Sequence, residues 1–123
     1  MSQAEHLPRH RVFVYGTLKR GQRNDHYLRE AEFVGRFITD AVYSMYCFDT
    51  YPAVCARGRH AIHGEIYHVS DTQFQRLDEL ELYPDYYQRI EIATRFGDAW
   101  MYIVQHELCR GRPLVPGNWF EAE

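Results

Sequence analysis

Glu81 stands where a carboxylate is out of place. Ser70 to Leu82 read as a helix. At about 100° per residue, Phe74, Leu77 and Glu81 fall on one stripe of it, at i, i+3 and i+7. Leu80 flanks that stripe on one side and Asp78 on the other, while Glu79 points away. Carboxylates are seldom buried without a partner. Two explanations are open. Glu81 can pivot to the rim from the last turn and pair with an arginine such as Arg89. Alternatively it is aimed into a cavity, where desolvation raises its pKa toward a value useful for a general base.

The second candidate is Tyr15-Gly16-Thr17-Leu18, where an apolar run ends and turns. Gly16 permits a close backbone approach or an unusual φ. Successive N–H groups in such a turn can cradle a carboxylate or phosphate, although a plain strand–loop junction would use the same residues. It is not a P-loop, because Gln22-Arg23 stands where Lys-Ser/Thr is required. His60, His63 and His68 lack supporting ligand spacing, so no metal is expected. Cys55 has no evident base beside it, which argues against a thiol nucleophile. Tyr83, Tyr86 and Tyr87 can wall a pocket and donate hydroxyl hydrogen bonds, or simply pack.

Several elements must position these groups. Val12 to Tyr15 reads as a buried strand, followed by a polar loop and a short helix over 25–31 capped by Asn24. Strands are expected at 33–38, 41–48, 62–69, 88–95 and 99–104, with Tyr51 to Arg59 as a loop and a turn at 96–98. Ser70 and Gln73 fit a capping box, Val69 and Phe74 a hydrophobic staple, and Tyr83-Pro84 ends the helix. Strands and helices do not alternate as βαβ units, which favours an α+β fold with a mostly antiparallel curled sheet or small barrel.

The composition narrows the classes. The 123 residues suit one domain, with 1–10 as a polar tail and 11–123 as the folded unit. A net charge of −3 argues against a nucleic-acid binder. No apolar run reaches the ~18–20 residues of a membrane span, and the N-terminus lacks the apolar core of a secretory signal. Three cysteines in no C-x-x-C pair fit reduced thiols in the cytoplasm.

Taken together, Val12-Phe13-Val14-Tyr15-Gly16-Thr17-Leu18-Lys19-Arg20-Gly21-Gln22 with Asn24-x-His26-x-Leu28 resembles the opening of γ-glutamylcyclotransferase-like proteins, especially the γ-glutamylamine cyclotransferase branch. Gly64-Glu65-Ile66-Tyr67-x-Val69 and Leu77-Asp78-x-Leu80-Glu81-x-Tyr83-Pro84-x-x-Tyr87-x-Arg89 are similar too. So are Ala99-Trp100-x-Tyr102 and Gly117-Asn118-Trp119. The resemblance implies a small β-barrel with peripheral short helices and a pocket at one side. It implies substrate binding by Tyr15, Gly16, Thr17 and Leu18, to which Tyr87 is added as a further substrate-binding residue, and acid–base catalysis by Glu81. It implies release of 5-oxoproline from a small γ-glutamyl compound, with no cofactor. Two positions depart from the family pattern: Leu82 where Gly is usual after the Glu, and Asn118 where Asp is usual in the tail. A non-catalytic pocket for a small carboxylated metabolite is the alternative. A module that contacts a partner protein through its tyrosines is a third.

Overall fold

A computed structural model describes residues 9–119. Eight strands and one α-helix are present among them: β1 (Arg9–Val14), β2 (Glu32–Ile38), β3 (Tyr43–Phe48), β4 (Tyr51–His60), β5 (His63–Ser70), α1 (Asp71–Leu80), β6 (Gln88–Ile92), β7 (Ala99–Ile103) and β8 (Leu114–Val115). Short 3₁₀ turns occupy Asp25–Leu28 and His106–Cys109. The strands form a five-stranded sheet in the order β2-β5-β1-β7-β6 and a three-stranded sheet in the order β4-β3-β8. The α+β, mostly antiparallel expectation is met, with β1 and β7 as a parallel pair. The strands fall into two sheets with no closed barrel among the described residues, and a backbone bond runs between the sheets from Val104 N–H to the Val54 carbonyl at 2.9 Å.

β1 is the central strand of the larger sheet, and its second half, Val12 to Val14, is buried on both faces, which is why that half is continuously apolar. Val12 and Val14 share a cluster with Phe74 and Leu77 of α1. Phe13 joins Met45, Ile66 and Met101 in a second. β1 begins at Arg9, so Arg9 and His10 belong to the sheet and not to the expected tail, whose residues 1–8 lie outside the described ones.

The expected loop at Tyr51 to Arg59 is corrected to β4. Pro52 and the polar run Arg57-Gly58-Arg59-His60 disguised it. β4 is an end strand, where proline is tolerated. The pairing jumps from Ser44↔Cys55 to Tyr43↔His60, so residues 56–59 bulge outward. Gly58 is required there, because a Cβ would lie 1.9 Å from the Ser44 hydroxyl. The helix expected over 25–31 is a single 3₁₀ turn, and the Asn24 side chain makes no cap. β6 stops at Ile92, and the turn that follows is closed by Thr94 and Gly97, each bonded to the other's carbonyl.

Candidate active site

The turn after β1 is folded back on itself. Lys19 N–H donates to the Gly16 carbonyl at 3.1 Å. Asn24 grips Thr17 twice, from its N–H to the Thr17 carbonyl at 2.9 Å and from Nδ2 to Oγ1 at 3.0 Å. The amide that was expected to cap a helix therefore shapes this loop instead. Gly16 presses on Pro52, where a Cβ would approach Cγ to 2.7 Å, so the glycine serves close approach.

α1 delivers Glu81. Ser70 Oγ accepts from Gln73 N–H at 3.1 Å and Gln73 Oε1 accepts from Ser70 N–H at 2.8 Å, completing the expected capping box. The other end closes with Tyr83 N–H on the Asp78 carbonyl at 2.9 Å and Leu82 N–H on the Glu79 carbonyl at 3.2 Å. That is a Schellman pair, which needs a left-handed residue just past the helix, and Leu82 supplies it with φ +54°. The usual glycine after the Glu is thereby explained: it is the residue that adopts this φ without strain. Glu81 is the last residue before the reversal, held by its N–H to the Leu77 carbonyl at 2.9 Å.

The rim pairing between Glu81 and Arg89 does not form. Arg89 binds both oxygens of Asp78, at 2.5 and 2.6 Å, and stacks over Phe74, Tyr83 and Trp100. Tyr102 OH adds a bond to Asp78 at 2.6 Å. Asp78 thus holds the nearby cation, and no hydrogen bond or ion pair from a described residue reaches the Glu81 carboxylate. Desolvation pushes the Glu81 pKa up to about 7.

Glu81 lines one cavity of about 270 Å³ with Tyr15, Gly16, Thr17, Leu18 and Tyr87. The structure thus brings Glu81, the 15–18 turn and Tyr87 to one cavity. The tyrosines divide differently from expectation. Tyr15 OH donates to the Tyr102 carbonyl at 2.8 Å and Tyr87 OH to the Pro52 carbonyl at 3.0 Å, so both protons are committed to the wall. Burial, and next the Glu81 charge in the case of Tyr15, raises both phenols above their ordinary range. Tyr86 shares a bond with Tyr51 at 2.9 Å. Tyr83 lies off the cavity, stacked on Arg89. Sequence reasoning missed Tyr51, Pro52 and Tyr102 as lining, because the supposed loop is β4 and the tyrosine of β7 becomes a neighbour only by sheet pairing. It also missed Arg23, which carried no signal beyond its place in a polar loop.

The remaining candidates sort themselves. Cys55 does have a base beside it, His106 Nδ1 at 3.6 Å, contrary to expectation, yet the thiol is buried and lies off the cavity. Among the described residues no group of three His, Cys, Asp or Glu side chains could hold a metal ion. His68 pairs with Glu32 at 2.9 Å. No helix among the described residues is long and apolar enough to cross a membrane.

The model of the family described as "Gamma-glutamyl cyclotransferase, AIG2-like" matches residues 12–121. The chain belongs to the γ-glutamylcyclotransferase-like family. A Vibrio cholerae protein with γ-glutamylcyclotransferase in its name is 41% identical over 111 residues, covering 89% of this chain and 95% of that one. Among solved structures, the γ-glutamylcyclotransferase-like fold recurs in Escherichia coli YtfP with a TM-score of 0.73 and 35% identity, over 89% of this chain and 95% of that one. A mouse AIG2-like protein aligns with a TM-score of 0.77 and 25% identity, over 91% and 88% of the two chains. The family's tail motif is docked here by Lys19 Nζ, which donates to the Trp119 carbonyl at 2.6 Å and reaches Asn118 Oδ1 at 3.5 Å.

Proposed function

We propose that this chain is a cyclotransferase acting on γ-glutamyl amines or related γ-glutamyl compounds, releasing 5-oxoproline and a free amine. The observation that carries the reading is Glu81: a carboxyl with no described partner and a pKa near 7, in one cavity with the 15–18 turn. The substrate holds both reacting groups. Its α-amine attacks its own γ-carbonyl carbon, a C–N bond forms, and a five-membered lactam closes as the bond to the leaving amine breaks. Because the reaction is intramolecular, holding the bent conformer supplies much of the rate. The α-ammonium must first lose a proton and the leaving nitrogen must gain one. Glu81 takes the first and returns it to the second, a double duty suited to a pKa close to neutral pH. Backbone N–H groups of residues 15–18 hold the α-carboxylate or the developing oxyanion. No step draws on a cofactor.

The test is 5-oxoproline release from γ-glutamyl-ε-lysine and simpler γ-glutamyl amines by the purified protein. Activity that falls at least ~10³-fold in Glu81→Gln supports the reading, by the scale on which a lost acid–base group and its charge act together. Absence of 5-oxoproline from every substrate sinks it. Thermal stabilisation by an unconverted γ-glutamyl compound would then favour a binding protein.

A further inference from the structure

The larger sheet presents Arg89 and Tyr102 side by side to α1. The two are register partners on β6 and β7, so their side chains stand on one face. Trp100, two residues before Tyr102, shares that face. Asp78 of α1 receives both partners: Arg89 Nη1 donates to its two oxygens at 2.6 and 2.5 Å, and Tyr102 OH donates to Oδ1 at 2.6 Å. The guanidinium packs over the rings of Phe74, Tyr83 and Trp100 at 4.2, 4.3 and 5.0 Å. The side chains of this ion pair are mostly buried, 19% exposed for Arg89 and 22% for Asp78. Asp78 and Glu81 are three residues apart at the end of α1, a spacing that brings Cβ atoms to about 5–6 Å. Tyr102 joins the two carboxyls, since it bonds Asp78 and lines the cavity with Glu81. Its phenol is raised first by burial, then by the bond and charge of Asp78, then by the charge of Glu81.

We infer that Asp78 is a positioning residue, which holds the Arg89 guanidinium against the sheet and so keeps that cation from becoming the counter-ion of Glu81. This rests on the cyclotransferase reading above, in taking Glu81 as the acid–base group. Asp78 does not line the cavity and acts only through its hold on Arg89. An arginine deprived of its anion in a mostly buried place is costly, and another carboxylate relieves that cost. Glu81 is the neighbouring one. A carboxylate paired with arginine is held ionised and is a weaker base. Near neutral pH it would keep no proton to return to the leaving nitrogen. The other titratable groups facing Glu81 across the cavity are Tyr15 from β1, Tyr51 from β4, Tyr86 and Tyr87 from the segment after α1, Tyr102 from β7 and Arg23 from the loop after β1. Phenols are neutral at pH 7. Burial raises Tyr15, Tyr86, Tyr87 and Tyr102 further. Arg23 is engaged with Thr50 at 3.4 Å, and no substitution below touches it.

The experiment follows the Glu81 carboxyl carbon by NMR as pH is varied, its resonance assigned by its loss in Glu81→Gln. The wild-type midpoint is expected at about 7. Asp78→Asn keeps an acceptor for Tyr102 but offers Arg89 no charge. Its Glu81 midpoint is expected to fall by about 1–3 pH units, the scale of a carboxylate beside an arginine. Arg89→Gln, and the double variant Asp78→Asn with Arg89→Gln, are expected to stay near the wild-type midpoint or above it, because neither holds the cation. The inflection in kcat/KM for 5-oxoproline release is expected to move with the midpoint. At pH 7, kcat is expected to fall roughly 10-fold in Asp78→Asn and to be higher in the double variant. A merely structural ion pair would lower activity in both and leave the midpoint unmoved, which overturns the inference. A fall in midpoint that persists in the double variant overturns it as well, since Arg89 cannot then be the cause. Asp78→Ser repeats the test if Asp78→Asn does not fold, and failure of both to fold overturns the inference in favour of a structural role. An unmoved midpoint in an active chain removes this inference alone. Absence of 5-oxoproline from every substrate removes the cyclotransferase reading and the positioning role together.

Discussion

A carboxyl that is easier to protonate in the fold than in the unfolded chain makes the fold less stable when it ionises. Glu81 has an ordinary pKa of 4.5 and is raised to about 7 by burial, so the folded chain binds more protons than the unfolded chain between those values. Stability falls as pH rises through that window and levels off above it. Glu81→Gln removes the liability. It is expected to stabilise the chain by about 2–3 kcal/mol near pH 8 and to change little near pH 4, measured by urea unfolding at both. The same group sets the activity profile: the base form must accept the substrate's proton, so kcat/KM is expected to rise with pH through an inflection near 7. Persistence of that inflection in the residual activity of Glu81→Gln, or its absence in the wild-type chain, would break the assignment. Gly16 offers a second test. Its missing Cβ leaves room for Pro52 Cγ, which would otherwise lie 2.7 Å away. Gly16→Ala is expected to cost about 1–3 kcal/mol by overpacking and to weaken 5-oxoproline binding in a titration, because the displaced turn carries the proposed cradle.

At the scale of the element, α1 illustrates what local rules can and cannot specify. Its start is written in Ser70 and Gln73, both of whose bonds form. Its end is written in the Schellman reversal, but with a residue that fits poorly. A non-glycine residue in the left-handed region costs about 1–2 kcal/mol, and glycine's extra freedom in the unfolded chain returns roughly 0.4–1 of that. Leu82→Gly is therefore expected to be stabilising by about 0.5 kcal/mol or slightly more, read as a shift in urea midpoint. A clear loss of stability would show that the Leu82 side chain holds the rim. β4 failed as a sequence reading for an identifiable reason. Proline, glycine and three basic or imidazole groups in a row normally mark a loop, and here they mark an end strand with a bulge.

The whole molecule is closed by contacts between residues far apart in the chain. Lys19, just past the cavity turn, is buried and ties the tail at Asn118 and Trp119 to that turn. Desolvation lowers its pKa, and Glu65 opposes the shift. Asn118→Asp, which restores the usual family residue, would exchange a neutral acceptor for a charged one. It is expected to stabilise the fold by about 1 kcal/mol above pH 5, in thermal unfolding, with the gain lost once the new carboxylate is protonated. The sequence by itself determined the α+β class, the capping box, the turn at Gly16 and the singular position of Glu81. Those follow from periodicity, backbone chemistry and the cost of a lone buried carboxylate, all of which are local. Only the tertiary structure decided that Arg89 belongs to Asp78, that Tyr51, Pro52 and Tyr102 close the cavity, and that the strands form two sheets. Each of these depends on which distant segments pair, and pairing is settled by burying both faces of β1 at once rather than by any one segment's own pattern.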